Sequence, residues 1–113
     1  MTKEDLSRQN LISFIQNNRG AFKDLPNGDL SFNAMVIFRY QGQVVKELLN
    51  GIIHRTTWEG DNISLNGEKI NAIDLHAEFK PQWQTYECTP ENFLLIKDNS
   101  PKLGPYEVTI IVS

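Results

Sequence analysis

The sequence predicts an α+β fold, in which one N-terminal helix packs against an antiparallel β-meander that forms a curled sheet or a small barrel. Three observations predict it. Apolar residues recur at helical spacing only near the N-terminus, at Leu6, Leu11, Ile12, Phe14 and Ile15. From Phe32 onward they alternate with polar residues or run in short β-branched and aromatic stretches. Between those stretches stand small clusters of Gly, Pro and Asn, the residues that turn hairpins.

The helix is predicted from Thr2 to Asn18. Thr2 is placed to accept a backbone bond as N-cap, and Glu4 and Asp5 put negative charge at the positive end of the dipole. Leu11, Ile12 and Ile15 form the centre of its apolar stripe, and Gly20 reads as a left-handed stop. Leu25-Pro26-Asn27-Gly28-Asp29 reads as a turn. Phe32 to Tyr40 is apolar enough for a central strand covered on both faces. Gln41-Gly42-Gln43 turns it into Val44–Leu49, which reads as a strand, although Val44, Val45, Leu48 and Leu49 also fit one face of a short helix.

Asn50-Gly51 has the composition of a tight turn before the alternating stretch Ile52–Trp58. Glu59-Gly60-Asp61-Asn62 turns again into Ile63-Ser64-Leu65. Asn66-Gly67 is the strongest hairpin signal, and a strand from Glu68 to Phe79 is predicted to follow. Within it, Ile73, Leu75, Ala77 and Phe79 alternate with Asp74, His76 and Glu78. Pro81 ends the strand or confines it to an edge. Trp83–Cys88 is a further strand candidate. Thr89-Pro90 has the form of a helix start, whereas Phe93–Ile96 fits a short buried strand. Asp98 to Pro105 reads as a loop, and Tyr106–Val112 as the closing strand. A helix followed by an antiparallel meander resembles cystatin-like folds and some small calycin-like barrels; the resemblance is one of architecture and implies no activity.

The 113 residues are expected to form a single domain. A hydrophobic share of 40% with 22% charged residues permits a buried core. The formal charge of -3 and the scattered Lys and Arg argue against nucleic acid. A single cysteine, Cys88, allows no internal disulfide and no multi-cysteine zinc site, and suits a reducing compartment. With no apolar run of membrane-spanning length, no membrane partner is expected and a cytoplasmic location is the default reading.

Chemistry is concentrated in few residues. Asp74, His76 and Glu78 share one strand face, and with His54 from another strand they would supply the three or four ligands a divalent metal needs. The same alternation is how a half-buried strand shows its wet side. Cys88 lies between Glu87, which raises a thiol pKa, and the Pro90 helix start, which would lower it. No glycine-rich phosphate loop and no serine nucleophile motif is present.

These features lead to an acidic, non-catalytic binding module without a cofactor, of the inhibitor or immunity type, that occupies a protein partner. Trp58, Asp74, His76, Glu78, Trp83 and Tyr86 are the candidate contact residues. The first alternative is a small-molecule carrier with a pocket lined by Met35, Phe38, Trp58 and Phe79. The second is a metal-dependent enzyme using His54, Asp74, His76 and Glu78.

Overall fold

An N-terminal helix lies against an antiparallel sheet curled into a half-barrel. The computed structural model describes residues 3–55, 62–72, 78–79, 85–88 and 93–112. Helix α1 spans Lys3–Asn17 and runs into a 3-10 turn at Arg19–Ala21. The strands are β1 Phe22–Asp24, β2 Leu30–Tyr40, β3 Gln43–His54, β4 Asn62–Asn66, β5 Glu78–Phe79, β6 Thr85–Cys88, β7 Phe93–Ser100 and β8 Gly104–Val112. A short helix, α2, occupies Glu68–Ala72. The strand order is β5-β4-β3-β2-β8-β7-β6, so β2 sits at the centre and the last strand returns beside it. Strand β1 pairs with the first residues of β2, Phe22 opposite Phe32, where β8 has already ended with Val112 opposite Ala34.

Alternation along β2 explains the core. Leu30, Phe32, Ala34, Val36 and Phe38 face inward and are buried. From β8 come Tyr106, Val108, Ile110 and Val112, and from β7 Leu94 and Ile96. Helix α1 packs on β6 and β7 and adds Leu11, Phe14 and Ile15. The buried stripe therefore follows the i, i+3, i+4 spacing of residues 11, 14 and 15. Ile12, expected at its centre, points about 100° away and is half exposed.

The rings of Phe14, Phe22 and Phe32 continue the core in edge-to-face contact, with centroids 5.9 and 5.5 Å apart. In the register Phe32 stands opposite Gly51, and Gly51 opposite Leu65. A Cβ on Gly51 would collide with the Phe32 ring. This overturns the reading of Asn50-Gly51 as a turn: β3 runs unbroken through it, and the glycine makes room for a ring rather than a reversal of chain direction.

Other expectations fare differently. Gln41 (φ 49°) and Gly42 (φ 74°) form the expected hairpin between β2 and β3, with Tyr40 opposite Gln43. Val44–Leu49 is strand. Gly20 does not adopt a left-handed conformation; instead Asn18 closes the helix, its backbone N–H and side-chain amide both donating to the Phe14 carbonyl. Asn66-Gly67 is no hairpin either. It leads into α2, whose first amides at Lys69 and Ile70 donate to the Glu47 carboxylate, and Gly67 lies against that carboxylate. A side chain on β3 thus caps a helix that local sequence reads as strand.

Phe93–Ile96 is strand, and β7 and β8 extend into the expected loop, leaving only Pro101–Leu103 as the connection before Gly104 (φ 74°). Residues 73–77, which carry most of the strongest alternating stretch, and the Thr89-Pro90 signal lie outside the described residues.

Candidate functional site

The curl of the sheet gives it a concave inner side, which holds the core, and an outer side facing away. Outer residues fall into cross-strand rows. One row is entirely apolar: Leu48 on β3, Met35 on β2, Ile111 on β8 and Phe93 on β7. Leu48 is 77% exposed, and nearer the β2–β3 hairpin Val44 is 55% exposed. Central β2 is fully buried on its inner face alone, contrary to the sequence expectation: its outer residues Met35 and Ile37 are half-buried, and no described helix or strand packs over them.

Toward the hairpin end, the next rows read Lys46, Ile37, Thr109, Leu95 and then Val44, Arg39, Glu107, Lys97. Arg39 donates to the Thr109 hydroxyl at 3.3 Å. In the other direction Asn33, Asn50 and Asn66 stand side by side, with Asn50 Nδ2 donating to Asn33 Oδ1 at 3.2 Å. The outer surface thus has an apolar band with an amide border on one side and a charged border on the other.

Beyond the asparagines, three elements converge. The turn before β2 brings Asp29, the end of β3 brings His54, and β4 brings Ser64. His54 Nδ1 lies 3.0 Å from Asp29 Oδ2, and His54 Nε2 lies 2.9 Å from Ser64 Oγ. Asp29 is 4% exposed. Its carboxylate also accepts the Arg55 backbone N–H at 3.0 Å and the Asn27 side-chain amide at 3.1 Å. Asn27 in return accepts the Asp29 backbone N–H, and Gly28 (φ 91°) supplies the geometry of this turn.

The Arg55 amide is the largest influence on Asp29 and holds its carboxyl below the usual carboxylate range. Burial acts in the opposite direction, while the hydrogen bond and charge of His54 and the Asn27 amide lower it further. An ionised Asp29 selects the imidazole tautomer that carries its proton on Nδ1, leaving Nε2 to accept the Ser64 hydroxyl. Asn62, opposite His54 in the register, is also buried, and its Oδ1 has no hydrogen-bond partner among the described residues.

His54 is the one member of this cluster that the sequence singled out, and it meets Asp29 and Ser64. In the sequence Asp29 reads as part of a turn and Ser64 as part of a strand. The available signal was an Asn-x-Asp turn directly before a strand, which positions a carboxylate by an Asx-type bond. Of the residues expected to bind, Trp58, Asp74, His76 and Trp83 lie outside the described residues. Glu78 is on β5 opposite Ser64, and Tyr86 is on β6 opposite Ile96, at the two ends of the strand order.

Of the four residues expected to line one pocket, Met35 and Phe38 stand on opposite faces of β2, and Trp58 lies outside the described residues, as does the side chain of Phe79. Phe38 is instead stacked on Tyr106, with centroids 5.2 Å apart and planes 21° apart. A separate open cleft of about 450 Å³ lies at the hairpin end, bordered by Arg39, Tyr40, Gln43, Lys97 and Tyr106. Among the described residues no helix is long and apolar enough to cross a membrane. Comparison with protein-family models, with curated proteins and with solved structures finds no match to this chain.

Proposed function

We propose that the chain is a protein-binding module that docks through the outer face of its sheet. The observation that carries this reading is the row Leu48, Met35, Ile111 and Phe93, which crosses four strands, about 15 Å of surface, without a polar side chain. Contiguous exposed apolar surface with a polar border is characteristic of interaction sites. The charges beside it indicate the kind of partner. On the two adjacent rows three cations, Arg39, Lys46 and Lys97, stand with two carboxylates, Glu107 and, by register opposite Leu95, Glu87 of β6, a local excess of positive charge although the chain as a whole is acidic. A complementary partner is a protein with an apolar centre bordered by carboxylates. An inhibitor of the blocking type is one such module.

The test is site-specific. A photo-crosslinking residue at position 48 should give one defined adduct in native lysate, and the same residue at exposed Asp24, on the β1 strand, should not. Leu48→Lys should abolish the adduct formed from a crosslinker at position 35, while its stability stays within about 0.5 kcal/mol of the parent, as expected for an exposed site. Equal crosslinking at 48 and 24 would refute the reading.

A second reading, small-molecule binding, is favoured by the cleft at the hairpin end. There two tyrosines stand with two cations, Arg39 and Lys97, and two carboxylates, Asp98 and Glu107, a lining that suits a zwitterionic aromatic molecule. Thermal-shift screening separates the two readings, because a carrier gains stability with ligand and Arg39→Ala would reduce the gain.

A further inference from the structure

From the hydrogen-bonded chain Asp29–His54–Ser64 we infer that Ser64 is an activated nucleophile, able to accept an acyl group from an activated ester. The connectivity is directional. Asp29 Oδ2 holds His54 Nδ1 at 3.0 Å, and the other ring nitrogen, Nε2, is the one that reaches the serine hydroxyl at 2.9 Å. A structural histidine could satisfy its nitrogens with any two acceptors or donors. Here a fixed, ionised carboxylate stands on one side and a primary alcohol on the other, the arrangement a general base needs to remove a hydroxyl proton.

The supports are built into the fold. Asp29 is held by the Arg55 amide and the Asn27 side chain as well as by His54, so its orientation does not depend on the histidine. His54 remains about one-third exposed, which leaves the reacting pair open to a small molecule. Asn62, across from His54 and on the same face as Ser64, has a buried Oδ1 without a partner among the described residues. A bound N–H or hydroxyl would satisfy it.

In the first step the Ser64 hydroxyl proton passes to His54 Nε2 as Oγ bonds to the acyl carbon. The bond from that carbon to the leaving oxygen then breaks, and the imidazolium returns the proton to the departing alkoxide. In the second step water gives a proton to Nε2, its oxygen attacks the acyl carbon, and Ser64 leaves with the proton restored. Asp29 touches no substrate; it is a positioning residue. One feature limits the rate. Strand β4 is paired on both sides at Ser64, with Ile52 and with Glu78, so the backbone amide of Ser64 belongs to the ladder and is not free to hold an oxyanion. The expected gain is thus the general-base contribution, about 10²–10⁴-fold over an ordinary serine.

A fluorophosphonate probe tests this, with the adduct located by peptide mass spectrometry. The phosphonyl group should accumulate on Ser64 at least 100-fold faster than on Ser13, an exposed serine on α1, and the adduct should vanish in Ser64→Ala. His54→Gln and Asp29→Asn, checked by circular dichroism to be folded at the assay temperature, should each slow labelling at least tenfold. Labelling of Ser64 no faster than of Ser13 would overturn the inference, and that comparison uses the parent protein alone. So would parent-like labelling in a folded His54→Gln variant, which would reduce the chain to a structural pin.

Discussion

Replacing Gly51 by alanine sets local preference against packing. In the middle of a strand, Gly→Ala ordinarily stabilises by about 0.5–1 kcal/mol, because glycine has more backbone freedom to lose. Here the added Cβ meets three atoms of the Phe32 ring inside any normal contact distance. The ring has little freedom to withdraw, being 3% exposed and packed on Phe22, which in turn packs on Phe14. Overpacking of this kind costs about 1–3 kcal/mol. The upper part of that range applies because the ring stack has to move as a unit. After allowing for the backbone gain, Gly51→Ala should destabilise by about 2 kcal/mol. For a domain of this size that lowers Tm by about 8 °C or more.

The assay is urea denaturation of Gly51→Ala, Phe32→Leu and the double variant. If the clash is the cause, trimming the ring relieves it, and the double variant should be more stable than the sum of the single effects by about 1 kcal/mol. An Asn-Gly turn at the same position would also lose stability on Gly→Ala, through a strained left-handed residue, but with no coupling to Phe32. Additive effects would therefore refute the continuous strand β3 and the row that runs from Phe22 to Leu65.

Two further outcomes are expected. Glu47→Ala removes the carboxylate that accepts the Lys69 and Ile70 amides, and should cost about 1 kcal/mol, with faster hydrogen exchange at those two amides while β2 and β8 remain protected. Asp29 has a folded-state pKa below its ordinary value of 3.8, so the unfolded chain binds its proton first as pH falls. Its contribution is fully present above that ordinary value and is lost as pH drops through the lower folded value. Tm measured from about pH 5 to pH 2 should fall less steeply in Asp29→Asn than in the parent, and identical slopes would contradict the assignment.

Strands β2 and β8 were legible as strands from their apolar and β-branched composition, though not which face of β2 is covered, and the Gln41-Gly42 hairpin was legible from backbone chemistry that only a few residues tolerate. The failures share a cause. Gly51 and Gly67 look like turn residues, yet Gly51 makes room for the Phe32 ring, and Gly67 lies against the end of the Glu47 side chain, each partner being distant in sequence. A one-dimensional pattern cannot distinguish a glycine that bends the chain from one that makes space. The cluster of Asp29, His54 and Ser64 was hidden for the same reason, since its members come from a turn, a strand end and a strand centre that meet only through the register of β2, β3 and β4.

That register also determines how the chain can divide its roles. Because side chains alternate with a period of two, one pairing scheme fixes both faces at once: the inner rows that meet α1 and the outer rows that carry Leu48, the asparagines and Ser64. A slip of β4 by one residue against β3 would move Ile63 and Leu65 outward and carry Ser64 to the inner face, away from His54. The hydrophobic core therefore selects the geometry of the polar chain at no further cost in specificity. The buried bonds of Asp29 reinforce the same register, since its carboxylate reaches the Arg55 amide and His54 only when Leu30 stands opposite Ile53. Core packing and site geometry are thus two consequences of one alignment. Substitutions that shift the strands should affect both, whereas Leu48→Lys or Ser64→Ala, which leave the inner rows untouched, should alter only the outer surface.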